Sequence, residues 1–150
     1  MKNRFASIGS FFLLTFMVIY IVLNPSYQRS LQAKYYFEIG EYEDALVLAK
    51  EAFSLDVYNR MSSTIMSQSI IALKYKDYID MARDYSSKIE ALATQQVLLD
   101  KDRARIRLMC EIMVDSYKKL SPSIITDKEL VDTASGYYLK FENLLEKVTQ

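Results

Sequence analysis

Sorted into apolar and polar positions, the chain shows one continuous apolar run followed by a long tract of helical periodicity. Residues 5–23, FASIGSFFLLTFMVIYIVL, carry no charge, and the next charged residue is Arg29. A helix over these positions, at about 1.5 Å per residue, reaches about 28 Å, close to the thickness of a bilayer core. The run predicts a transmembrane signal anchor over 5–23, behind a basic flank at 1–4 that holds Lys2 and Arg4. A cleaved signal peptide is the alternative, but VLNPSYQ after the run offers no convincing small-x-small cleavage site. Lys2, Arg4 and the amino terminus favour a cytoplasmic start, against Arg29 and Lys34 on the other side. That balance predicts a single-pass protein of the inner (cytoplasmic) membrane with its C-terminal domain in the periplasm. Asn24 and Pro25 suit the cap and first position of a new helix, or else Pro25 kinks a continuous one.

From residue 26 onward apolar residues recur in steps of three and four, the period of an amphipathic helix. Leu31, Tyr35, Phe37 and Ile39 mark a first helix, which Gly40 and Glu41 break. Ala45, Leu48, Ala49, Ala52 and Phe53 stripe a second over residues 42–55, and its alanines let another helix approach closely. Gly40 can take the left-handed conformation that ends one helix and reverses the chain. KDYIDMARDYSSKIEAL can be laid beneath GEYEDALVLAKEAFSLD, with Tyr78 under Tyr42 and Ile89 under Phe53. This predicts a second hairpin whose first helix covers residues 59–75, with Ile65, Met66, Ile70 and Leu73 on its stripe. Leu99, Ile106, Met109, Met113, Tyr117 and Leu120 stripe a helix over residues 95–120, which Pro122 in SPSII ends. A last helix opens on a Thr126–Glu129 capping box and carries a heptad-like seam of Leu130, Ala134, Tyr137, Tyr138, Phe141, Leu144, Leu145 and Val148. That seam either covers the end of the helical stack or pairs with another chain.

Three glycines and two prolines in 150 residues argue against a turn-rich all-β fold and predict an all-α chain. There is no histidine, and the formal charges cancel. The commonest general base and transition-metal ligand is therefore missing, as is any electrostatic footprint for nucleic acid. The densest charge cluster, DKDRARIR at 100–107, puts Arg103 and Arg107 on one face. It reads as a solvated face with local ion pairs, against a site for an anion or acidic partner. Glu41, Glu43 and Asp44, and again Asp77 and Asp80, fall at predicted helix starts or turns, where carboxylates complement the helix dipole. No phosphate-cradling glycine loop, nucleophile elbow or metal-ligand spacing occurs. No catalytic, metal-binding or cofactor-binding residue is assigned, and the chain is expected to be no enzyme and to take no cofactor. The one cysteine, Cys110 in RLMCEIM, cannot form an internal disulfide. It reads as a small buried hydrophobe, against a redox switch or an intermolecular disulfide.

Ala33 and Tyr36, then Gly40, Tyr42, Ala45, Ala52 and Leu55, give the stretch around Gly40 a familiar signature. It resembles the tetratricopeptide repeat (TPR), a helix–turn–helix unit of about 34 residues. Arg29 stands at the usual large aromatic position, and Val57 where a proline commonly ends the unit. Tyr78 is the matching residue of the second copy. The resemblance covers residues 26–92 and, extended by helical periodicity, implies a TPR-like α-solenoid of about three helical hairpins over 26–150. It also implies a concave face, lined by the first helix of each hairpin, that holds a peptide or helix of another protein. Tyr27, Ser30, Lys34, Ser63 and Met66 would face that groove. Together with the anchor, this sets the expectation of a membrane-anchored interaction module, acting as scaffold or assembly chaperone for an envelope complex of secretion, motility or division. Its partners would be another protein and, through residues 5–23, the lipid bilayer; nucleic acid is not expected. The alternative is a structural subunit of a membrane homo-oligomer or larger complex, joined through the C-terminal helix.

Overall fold

The computed structural model describes residues 11, 13–20, 23–94, 99–122 and 126–149, and every regular element among them is helical. Five helices follow in order: α1 Pro25–Glu38, α2 Tyr42–Leu55, α3 Arg60–Ala93, α4 Asp100–Lys118 and α5 Lys128–Thr149. The chain divides into two compact units, Met1–Ile70 and Ile71–Gln150. The all-α expectation is met, while the number of hairpins and the membrane segment are corrected below.

In the first unit, α1 opens as one of the two alternatives for Asn24 and Pro25 required. Asn24 is extended (φ −90°, ψ 113°) and its side-chain oxygen accepts from the Ser26 N–H at 3.0 Å, with Pro25 in the first turn. A proline costs nothing there, because that N–H has no intrahelical acceptor. The far end of α1 closes on Gly40, at φ +84°. The Glu41 N–H donates to Tyr36 O at 2.9 Å and the Gly40 N–H to Phe37 O at 3.2 Å. This is a Schellman closure, which satisfies carbonyls that a helix end leaves open. A Cβ on Gly40 would meet nothing within 4 Å, so its φ alone demands glycine. Beyond the turn, α2 buries Tyr42, Ala45, Ala49 and Ala52. Ala33, Ala45, Ala49 and Ile65 form the core, with Tyr36, Phe37, Leu48, Met61 and Met66 packed around it.

The second unit takes in α3 from Ile71 onward together with α4 and α5. Its core joins Tyr75, Tyr78, Ile79, Ala82 and Ile89 of α3 to Ile106, Cys110, Met113 and Val114 of α4 and Ala134 and Phe141 of α5. Leu130, Tyr137, Tyr138, Leu144, Leu145 and Val148 pack against that core, so the seam of the last helix is occupied within its own unit.

The second hairpin expected to turn at Lys76–Asp77 does not form, because α3 runs unbroken from Arg60 to Ala93. Two features explain the difference. No glycine or proline stands at the expected break, so nothing supplies a left-handed cap. The buried stripe of Ile65, Ser69, Ala72, Tyr75, Ile79 and Ala82 also keeps its step of three and four straight through it. Helix α4 begins at Asp100 rather than 95; residues 95–98 lie outside the described set. At the start of α5 the Asp127 carboxylate accepts the Glu129 N–H at 2.9 Å.

The membrane anchor is also corrected. Among the described residues no helix is long and apolar enough to cross a membrane. Residues 1–10, 12, 21 and 22 lie outside the described set. At Asn24 the helical run stops and α1 starts afresh. The single-pass inner-membrane location and the periplasmic domain rested on that anchor and fall with it.

Candidate functional site

The first unit is organised around a polar cluster with no solvent access. Ser26, Ser30, Asn59 and Ser62 are all buried. The Ser26 hydroxyl donates to Ala52 O at 2.8 Å, and the Ser30 hydroxyl to Ser26 O at 3.0 Å. With their protons so used, both hydroxyls accept from the Asn59 side-chain NH₂, at 2.8 and 2.9 Å. The Asn59 side-chain oxygen then accepts the N–H groups of Met61 and Ser62, at 3.1 and 3.3 Å, capping α3. Both donors and both acceptor sites of the amide are thereby satisfied. The start of α1, the end of α2 and the start of α3 are locked in one register by directional bonds. The intervening turn is fixed as well: Asp56 accepts the Tyr58 N–H at 2.9 Å, and Tyr58 projects into solvent.

On this frame α1 and α2 enclose a surface concavity of about 600 Å³, lined by Arg29, Leu31, Gln32, Tyr35, Tyr36 and Leu48. The Tyr35 and Tyr36 rings meet edge to face, 5.7 Å apart at 77°. Arg29 bridges the two helices through Glu51 at 3.5 Å. The surface is aromatic and aliphatic with a few polar edges, a lining suited to holding a ligand.

The residues singled out from the sequence are distributed as follows. Ala33, Ala45 and Ala52 are buried at the helix contacts, Tyr42 is buried against Phe37 with ring centroids 5.3 Å apart, and Gly40 makes the turn. Tyr36 is half-buried in the wall of the concavity, and Leu55 is exposed. Tyr78 is buried in the second unit, inside α3 rather than at a hairpin turn. Of the five groove positions, Ser30 is sequestered in the polar cluster. Tyr27 is half-buried with its ring 6.1 Å from that of Tyr20, and Lys34 is exposed and pairs with Glu38 at 3.6 Å. Ser63 and Met66 are half-buried on α3, Met66 against the core. The concavity draws instead on Arg29, Leu31, Gln32, Tyr35 and Tyr36 of α1, with Leu48 of α2. Asn59 was legible as a helix cap, since it immediately precedes an apolar-periodic run; its bonds to Ser26 and Ser30 left no sequence signal.

In the second unit three tyrosines make a ladder. Tyr78 and Tyr117 are tilted at 5.7 Å, and Tyr117 and Tyr138 stack at 4.5 Å and 22°. Tyr138 donates to Glu142, and that bond raises its pKa. Burial raises the phenols of Tyr75 and Tyr78 above their ordinary value, and the neighbouring Tyr117 adds to the effect. Burial likewise pushes the Cys110 thiol up to about 11, with a smaller push from Glu111. It is a protonated core side chain at neutral pH, in keeping with the small-hydrophobe reading. In the charged stretch at 100–107, Arg107 pairs along its own helix with Glu111 at 2.8 Å. Among the described residues no cluster of three or more histidine, cysteine, aspartate or glutamate side chains is placed to hold a metal ion.

Comparison with models of protein families, with characterised proteins and with solved structures finds no match to this chain.

Proposed function

We propose that the chain is a protein-interaction module, a scaffold or assembly chaperone whose first unit holds a peptide segment of a partner protein. The observation that carries this reading is the concavity of Leu31, Tyr35, Tyr36 and Leu48, set on a hairpin that Asn59 and its serines hold in one register. Aromatic side chains on a fixed backbone give up little conformational freedom on binding, so burying them against a partner leaves more net affinity. In this reading the likeness to a tetratricopeptide unit extends to α1 and α2, with their alanine contacts and glycine turn. The envelope setting has no support apart from the anchor and is dropped.

A photo-crosslinking residue in place of Gln32, with the defined partner identified by mass, tests the reading. Capture should be lost in Leu31→Asp and Tyr35→Ala while both variants keep the parent's helical circular dichroism. Lys34→Glu and Met66→Asp separate this surface from the groove positions expected from the repeat likeness: loss of capture there, with Leu31→Asp unaffected, would move the site to Tyr27, Lys34, Ser63 and Met66. Crosslinks solely between copies of the chain would favour the other reading, a subunit of a homo-oligomer.

A further inference from the structure

The second unit has a groove of its own, of about 430 Å³, between Lys88, Ala91 and Leu92 of α3 and Arg105, Leu108 and Met109 of α4. Its floor is apolar and open, with Leu108 56 % exposed. Ile112 continues the same face one turn further along α4, and it too is exposed. The charged groups among the described lining residues are cations only. The Arg105 side chain has no ion pair or hydrogen bond among the described residues, and neither has that of Lys101, one turn earlier on the same face. By contrast, Lys88 pairs along its own helix with Asp84 at 2.6 Å. The outer face of α4 thus reads Lys101, Arg105, Leu108, Ile112: two cations without a contact ion pair among the described residues, then two exposed apolar side chains.

We propose that this groove docks an acidic amphipathic helix of a partner protein. Its apolar side chains would seat on Ala91, Leu92, Leu108 and Met109, and its carboxylates would meet Arg105 and Lys101. Charge complementarity selects this occupant, since a basic or neutral helix would cover the apolar floor and leave both cations unanswered. Spacing selects it too. Lys101 and Arg105 stand one helical turn apart, the separation of carboxylates at i and i+4 on a facing helix. A single-chain anionic amphiphile has one headgroup and would answer one cation of the two. Arginine also offers a planar fork that binds a carboxylate through two bonds. The site lies wholly within the second unit and stands whether or not the first unit's concavity binds a peptide.

Fluorescence anisotropy with the full chain tests it, using three synthetic helices that share their leucines and carry Glu, Gln or Lys at two positions one turn apart. The Glu helix should bind, the Gln helix about tenfold more weakly and the Lys helix more weakly still. Arg105→Glu should erase the preference for the Glu helix over the Lys helix, and Leu108→Asp should abolish binding of all three. Both positions are exposed, so each variant should keep the parent's circular dichroism and melting temperature. The proposal is overturned if the Glu and Lys helices bind alike, if Arg105→Glu leaves the Glu helix unaffected, or if no helix binds. Binding of dodecanoate where no helix binds would overturn it in favour of an anionic amphiphile.

Discussion

In the first unit the helices meet on alanine and serine; in the second they meet on tyrosine, isoleucine, methionine and phenylalanine. The small residues of α1 and α2 release little apolar surface, so burial alone gives them weak preference for one register over another. Directional bonds from Asn59 supply what the small side chains cannot, since a shift of one residue would leave several buried polar groups without partners. The second unit needs no such device. Side chains as large as Phe141 and Met113 fix its packing by shape, and their burial stabilises it directly. A surface meant to present the same groups to a partner each time is well placed on the first kind of core.

The largest effect that can break this contrast is expected at Phe141, which is 1 % exposed in the middle of the second core. Phe141→Ala should cost about 4 kcal/mol, from lost burial and an unfilled cavity. Urea denaturation should show the midpoint falling with little change in slope; a loss under about 1 kcal/mol would mean that α5 covers the core loosely. Asn59→Ala comes next, at about 3 kcal/mol, although it removes a smaller and polar side chain. It strips the cap from α3 and leaves the hydroxyls of Ser26 and Ser30 one partner short inside the first unit. Amide exchange should accelerate in α1 and α2. If Asn59→Ala melts like the parent, the polar cluster is incidental to the hairpin.

How much of this was legible beforehand follows from the same contrast. Apolar periodicity marks large buried side chains, so the stripe of α4 and the seam of α5 could be read directly from Ile106, Met113, Phe141 and their neighbours. Gly40 was legible because a left-handed turn demands one residue type. A core built from serine and asparagine is invisible to that reading: Ser26, Ser30 and Ser62 look like a solvated face, and the repeat likeness alone places Ser30 in a groove. The unbroken α3 was missed because a likeness between Tyr42 and Tyr78 reports burial, which both share, and says nothing of the turn beside them. Apolarity of the first residues reports composition, and among the described residues no helix is long and apolar enough to cross a membrane. For the concavity, Tyr36 was named from the repeat likeness and Leu31 and Tyr35 as helix positions; their convergence with Leu48 needed the α1–α2 packing.

Gly40→Ala gives a smaller effect, about 1 kcal/mol, and it separates backbone strain from packing. Since a Cβ there touches nothing, the whole loss comes from holding φ at +84°. Gly40→Asn should recover part of it, because asparagine tolerates the left-handed region better. Equal melting temperatures for the alanine and asparagine variants would point to a cause other than conformation.

The smallest effect has the opposite sign and occurs once in each unit. Ser69 Oγ and the Tyr78 hydroxyl are buried without a hydrogen-bond partner among the described residues. Each gave up water on folding and received nothing in return, so deleting it should stabilise the chain by about 0.5 kcal/mol. For Ser69→Ala that gain should be independent of pH. Tyr78→Phe should differ. Burial raises the folded-state pKa of Tyr78 above its ordinary value of 10.0, so the unfolded chain ionises first as the pH climbs. The neutral phenol's contribution is complete below pH 10 and is lost as the pH rises through the folded-state value. Scanning calorimetry at pH 7 and pH 11 should show the advantage of Tyr78→Phe over the parent widening, while that of Ser69→Ala stays constant. A Tyr78→Phe variant that is less stable than the parent at pH 7 would mean that the hydroxyl has a partner after all, such as a buried water. The second core would then rest on a polar contact much as the first one does.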